Sequence, residues 1–178
     1  MPQFVVLLRG VNVGKAQRVP MADFKALLEA QGFSGVRTVL NSGNAVAAHS
    51  SRSADALAAR VHAALHGGMG LDVPVLVKTA ADFNAAVAEH PGPVPPEAEH
   101  PRWLVVFAQQ GDALQAVAAL RPLLTPREDL HIGRHAAYLH GPGGVLQSKV
   151  AVAMLAKIGR GVTTRNWATV LKIQTALP

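Results

Sequence analysis

The sequence predicts an α+β protein of two tandem halves, each running strand, helix, hairpin, helix. Three observations carry this. Apolar runs of strand composition, QFVVLL and RWLVVF, open the two halves about one hundred residues apart. Each is followed by apolar residues at helical spacing and then by two short strand runs around turn residues. Between the halves lies HPGPVPPEAEHP, residues 90–101, with five prolines, a composition expected of a stiff linker without regular structure. The expected division is therefore 1–89, with a connecting helix at its end, a linker at 90–101, and 102–178.

In the first half, strand Gln3 to Leu8 precedes a helix from Met21 to Gln31. Phe24, Leu27 and Leu28 lie at helical spacing there, and Gly32 stops it. VRTVL (36–40) and AVAAH (45–49) flank NSGN, where Gly43 supplies a positive φ. Ser53 caps a helix that runs to His66 with Leu57, Val61 and Leu65 on one face, and glycines at 67, 68 and 70 end it. VPVLV (73–77) completes β-α-β-β-α-β, the split pattern of ferredoxin-like folds. A helix from Ala80 to Glu89 leads to the linker. In the second half, strand 102–107 is followed by a helix from Asp112 to Leu120 and a hairpin, DLHIG and AAYLH, around Arg134. A helix from Val145 to Ile158 comes next. The ending breaks the parallel. GVTTRNWATVLKIQ (161–174) reads as a short closing helix capped by Thr164 or Asn166, with Trp167, Val170 and Leu171 inward.

Composition narrows the class. With 178 residues and 49% hydrophobic content the chain can fill one large or two small cores. It has no cysteine, which removes disulfides, thiolate chemistry and cysteine-ligated metal and fits a reducing cytoplasm. No signal-peptide pattern or membrane-length apolar run is present, so no membrane partner is expected. The net charge of +6 is unevenly placed. Residues 1–100 hold eight Lys/Arg and eight Asp/Glu, whereas 101–178 hold nine against three. A basic final third suits an anionic partner or a merely solvated face.

RGVNVGK, residues 9–15, follows the first strand as a phosphate loop would, but its spacing is wrong. Three residues separate Gly10 from Gly14 where a Walker loop has four, and Ala16 replaces the magnesium-binding hydroxyl. Pro20 suits a first helical turn, so the helix begins there and not at Lys15. The long loop is either a glycine-containing connection or an anion-facing surface carrying Arg9, Asn12, Lys15 and Arg18.

The stretch LLRGVNVGKAQRVPMADFKALLEAQGFSGVRTVLNSGNAV, the pair Ser148-Lys149 and TTRNWATV together resemble domain-of-unknown-function family sixteen ninety-seven, a bacterial family. The resemblance spans nearly the full chain. It implies two ferredoxin-like halves and supplies no activity. Members usually carry a second glycine where Lys15 stands, which leaves the role of Lys15 open.

The residues matching these motifs are cations, amides, hydroxyls and glycines, with Trp167 and without Asp, Glu, His or Cys. Such a set suits holding an anion better than transforming one. The candidate ligand-binding residues are Arg9, Asn12, Lys15, Ser42, Asn44, Lys149, Thr164, Arg165 and Asn166, placed around a cleft between the halves. The same residues have structural readings: SGN as a tight hairpin, TTRNW as a helix start with a packed tryptophan. No catalytic residue is assigned, and whether a reaction occurs stays open, Lys149 being the candidate base or nucleophile of an enzymatic alternative. No cofactor is expected. Eight histidines form no ligand pattern: His131 and His135 lie on a hairpin, and His62 and His66 lack a zincin glutamate, so no metal is expected. A further alternative is nonspecific nucleic-acid association through the basic third. Base stacking is not expected, because the third strand carries no aromatic, the seventh only Tyr138, and aromatic content is 4%.

Overall fold

The computed structural model describes every residue except Ala16, and Leu155 by its backbone alone; the missing hydroxyl at position 16 thus lies outside the described residues. The chain divides into two compact units, Met1–Phe83 with Lys172–Pro178, and Asn84–Leu171.

The first unit contains β1 (Gln3–Leu8), α1 (Met21–Ala30), β2 (Ser34–Val39), β3 (Asn44–Ala48), α2 (Ala54–Met69) and β4 (Val75–Thr79). Its sheet has the order β2-β3-β1-β4, and every neighbouring pair is antiparallel. Period-two alternation sends Phe4, Val6 and Leu8 of β1 and Ala45 and Ala47 of β3 to one face. There they pack with Phe24 and Leu28 of α1 and Leu57, Val61 and Leu65 of α2. Val5 and Leu7, on the opposite face, are buried as well, which is why β1 reads as an unbroken apolar run. The Ser53 hydroxyl accepts the Ala56 N–H and caps α2 as expected. The helix runs through Gly67 and Gly68, contrary to the expected stop at His66. It ends at Gly70, whose left-handed backbone returns its N–H to the last turn.

The second unit begins within α3 (Ala80–Ala88) and holds β5 (Trp103–Ala108), α4 (Gly111–Ala116), β6 (Asp129–Ile132), β7 (Ala137–His140), α5 (Lys149–Ala153) and β8 (Val162–Asn166). Its sheet order, β6-β7-β5-β8, repeats that of the first. Leu104 and Val106 of β5, Leu139 of β7, Leu114 of α4, and Val150 and Met154 form its core.

Three expectations are corrected here. The closing segment is not one helix. Val162–Asn166 is an edge strand paired with β5, with Arg165 opposite Val105 and Thr164 opposite Val106, and α6 (Trp167–Ala176) follows. Thr164 therefore lies in a strand and caps nothing. The β-branched run Val-Thr-Thr favours the extended backbone, and β5 supplies the partner. The second half thereby also completes β-α-β-β-α-β. The helix expected from Val145 to Ile158 is broken into a 3-10 turn (Val145–Gln147), α5 and a π-helical stretch (Met154–Ile158), because Ser148 takes an extended, capping conformation. Finally, the proline-rich stretch is not without regular structure, since Glu97–Arg102 winds into a 3-10 turn.

Candidate functional site

In the first unit the RGVNVGK loop and the NSGN hairpin form one corner. Asn12 joins them. Its Nδ2 donates to the Val19 carbonyl and to the Asn41 carbonyl, both at 2.7 Å, and its Oδ1 accepts the Val19 N–H at 2.9 Å. Asn12 has φ 56°, a left-handed conformation that asparagine tolerates better than most residues. The loop is closed further by the Asn12 N–H, which donates to the Gln17 carbonyl at 2.9 Å. On the hairpin side, Leu40 also has positive φ (57°), unusual for a γ-branched apolar residue, and its side chain is exposed. Asn44 is fully buried and donates from Nδ2 to the Val39 carbonyl and the Ser42 hydroxyl. Gly43 is obligatory on two counts. It has φ 81°, and a Cβ there would stand 2.6 Å from Leu8 Cβ and 2.7 Å from Val11 Cγ2.

The corner thus gathers five of the nine candidates: Arg9, Asn12, Lys15, Ser42 and Asn44. The amides of Asn12 and Asn44 are committed to the backbone. The cations face outward differently. Lys15 and Arg18 are exposed, and Arg9 is half-buried, with its own N–H donating to the Pro74 carbonyl. No acidic residue precedes Asp23 in the chain.

The other four candidates lie in the second unit. Arg165 is buried on β8, and its Nη1 donates to Thr163 Oγ1 at 2.9 Å and to the Thr164 carbonyl at 2.8 Å. Burial pulls its pKa down to about 10, which leaves the guanidinium charged at neutral pH. Thr164 is half-buried. Asn166 is exposed, and its Oδ1 accepts the Thr169 N–H at 2.9 Å, so it caps α6. Lys149 is exposed at the start of α5, beside buried Ser148, whose hydroxyl oxygen accepts the Val150 N–H.

Glu89, His90 and Lys78 carry chemistry that no motif of the sequence marked, and Tyr138 joins them. Glu89 sits under the β6–β7 turn and accepts the Arg134 N–H at 2.6 Å and the His135 N–H at 2.9 Å. Burial pushes its pKa up, but these donors outweigh burial and hold the carboxyl below its usual range. Tyr138 donates to the Ala86 carbonyl, and its phenol is pushed well up by burial first and by Glu89 second. Both tryptophans and the only tyrosine surround His90. Ring centroids lie at 4.3 Å for Trp103, 4.5 Å for Trp167 and 5.8 Å for Tyr138. Neither ring nitrogen of His90 nor the Trp167 indole nitrogen meets a hydrogen-bonding partner of good geometry. Burial lowers the His90 pKa, the Gly92 backbone opposes this, and His140 and His131 add to it. In the first unit, burial weakens the Lys78 ammonium against the opposing charges of Asp82 and Asp55. Among the described residues no group of three or more His, Cys, Asp or Glu is placed to hold a metal ion. No helix of the described residues is long and apolar enough to cross a membrane. Only sequence-distant pairing assembles these clusters, so no local spacing announces them.

Comparison with known proteins agrees with this architecture. The model of the family described as "Protein of unknown function (DUF1697)" matches residues 1–138. Among solved structures, the conserved bacterial protein SP0830 from Streptococcus pneumoniae is similar with a TM-score of 0.74. Its identity is 22%, and 99% of each chain is covered. At that identity the likeness is one of fold. No curated protein matches.

Proposed function

The chain belongs to DUF1697, a family whose description names no activity, and we propose from the geometry that it binds a small phosphate- or carboxylate-bearing ligand at the corner formed by residues 9–19 and the NSGN hairpin. One observation carries this reading. Asn12, itself in a left-handed backbone, ties the loop that carries Arg9, Lys15 and Arg18 to its own end at Val19 and to the hairpin at Asn41, with no acid nearby in sequence. A loop pinned at both ends loses less conformational freedom on binding than one that is not. Backbone held in a sparsely populated region persists only where the surroundings enforce it, and such positions cluster at binding sites. The buried Tyr138 exposes no ring for base stacking, which favours a small ligand over single-stranded nucleic acid. We leave Arg165 out of the contact set, because its guanidinium is enclosed and bonded to its own strand. A cytoplasmic setting, suited by the absence of cysteine, belongs to the same proposal.

The test is calorimetric titration of the full chain with inorganic phosphate, sugar phosphates and small dicarboxylates. The comparison is Lys15→Ala/Arg18→Ala. Both side chains are exposed, so the melting temperature of the double variant should be within a degree or so of the parent. Affinity for the anion that binds should fall by about tenfold or more, the equivalent of about 1.4 kcal/mol. Equal affinity in the two proteins, or no binding by any anion tested, overturns the reading.

A further inference from the structure

The second unit contains a cavity of about 210 Å³ whose lining includes Arg127, Glu128, Gly143, Gly144, Gln147 and Ser148. It is separate from the corner of the first unit, and no residue of the anion-binding proposal lines it. Its floor is built from the buried Ser148. The hydroxyl there does two things: its oxygen accepts the Val150 N–H at 3.2 Å, and its proton goes to the Glu128 carboxylate. Glu128 also accepts the Thr125 N–H, at 2.9 Å. Burial pushes the Glu128 pKa up, but these donors outweigh burial and hold the group ionised. The carboxylate is therefore a fixed negative charge on the wall.

Opposite in sign, Arg127 lines the same cavity from the neighbouring position. The third component is the loop Gly141-Pro142-Gly143-Gly144, closed by the Gly144 N–H donating to the Gly141 carbonyl at 2.8 Å. Nothing lies within 4 Å of where a Cβ of Gly143 or Gly144 would stand, so the peptide backbone itself faces open space. Gln147 adds an amide that both donates and accepts.

From this arrangement we infer that the cavity binds a small zwitterion of the α-amino-acid type, its ammonium on Glu128 and its carboxylate on Arg127. A simple anion would meet the ionised Glu128, and a simple cation would meet Arg127. A molecule carrying both charges about one carbon apart satisfies the two side chains together. A space of about 210 Å³ has room for a small or medium amino acid. The Ser148 hydroxyl is not a primed nucleophile. It donates a hydrogen bond to a carboxylate of lowered basicity, a weak base for activating it.

Titration calorimetry of the full chain with L-serine and L-glutamine tests this. Propionate and propylamine serve as analogues that keep one charge each. Saturable binding of an amino acid, with each single-charge analogue weaker by about tenfold or more, is the expected result. Arg127→Ala, at an exposed position, should weaken the amino acid and leave the fold intact. Glu128→Gln should bring the amino acid and propionate to similar affinity. Lys15→Ala/Arg18→Ala should change neither, which keeps failure here distinct from failure of the anion site. Propionate binding as tightly as the amino acid, amino-acid binding unchanged in Arg127→Ala, or no binding at millimolar concentration overturns the inference.

Discussion

Single residues at the corner carry more than their motif suggests. Asn12 makes three side-chain hydrogen bonds that bridge two loops. Asn12→Ala leaves two carbonyls and one N–H without them, and the expected loss is about 1–3 kcal/mol, read as a lowered urea midpoint. Gly43→Ala places a methyl against Leu8 and Val11 at φ 81°, so its loss should be larger, roughly 2–4 kcal/mol. The comparison of these two with Lys15→Ala/Arg18→Ala separates fold from binding, because only the last should spare stability. His90 acts differently. Its folded pKa lies below the ordinary 6.5, so the native state resists protonation that the unfolded chain accepts. Its contribution is fully present above that pH and is lost as pH falls from there through the depressed folded value. Glu89 and Glu128, both held low, keep their contributions until pH falls below 4.5 and through their own folded values. His90→Phe should therefore flatten stability against pH in the mildly acidic window and leave the steep acid limb in place. Urea midpoints measured at a series of pH values check this, and an unchanged mild-acid slope would assign the loss to other groups.

Elements were legible where their signals are local. The periodicities that mark β1, α1, α2 and β5 come from short stretches of chain, and the structure places those elements within a few residues of expectation. NSGN announced a hairpin because Gly43 and Asn44 serve that turn directly. β8 failed for the converse reason. Thr164 and Asn166 are both good cap residues, and the five-residue strand before Trp167 exists because β5 offers an edge about sixty residues away in sequence. Asn12 was visible as a motif member, yet its clamp on Asn41 depends on a contact across 29 residues. Glu89 and His90 were invisible, and although Tyr138 stood out as an aromatic, its contact with Ala86 spans 52 residues. The helix that follows β8 supplies a test of the corrected boundary. Asn166 caps α6 through the Thr169 N–H, so Asn166→Ala should cost about 1 kcal/mol and Asn166→Asp should cost little. Thr164→Ala should show no capping loss, because that residue lies in the strand.

At the scale of the whole molecule, the surplus of charge and the composition of the two units lead to different expectations. The chain leaves the first unit at Phe83 and returns to it at Lys172, so the second unit is one continuous piece and the first is not. Lys172–Pro178 contribute Ile173, which is fully buried. Ile173→Ala should lower stability by about 2–5 kcal/mol, the range for emptying a buried aliphatic position. The positive charge does not follow this division: Met1–Phe83 with Lys172–Pro178 hold nine Lys/Arg and five Asp/Glu, whereas Asn84–Leu171 hold eight and six. All of the net +6 arises from residues 101–178, whose cations include the exposed Arg127, Lys149, Lys157 and Arg160. Exposed cations without stacking aromatics interact with any polyanion through counterion release, which weakens steeply with salt and carries no sequence preference. Retention of the full chain on immobilised oligonucleotide should accordingly vanish between low and moderate salt and should not distinguish one sequence from another. A small ligand seated on the fixed corner of the first unit makes fewer ionic contacts, so its affinity should decline far less over the same range. Measuring both on one preparation discriminates the two uses of positive charge. Salt-resistant, sequence-dependent retention would mean that the basic third is a nucleic-acid site in its own right, whereas steep loss beside a persisting small-ligand signal assigns function to residues 9–19.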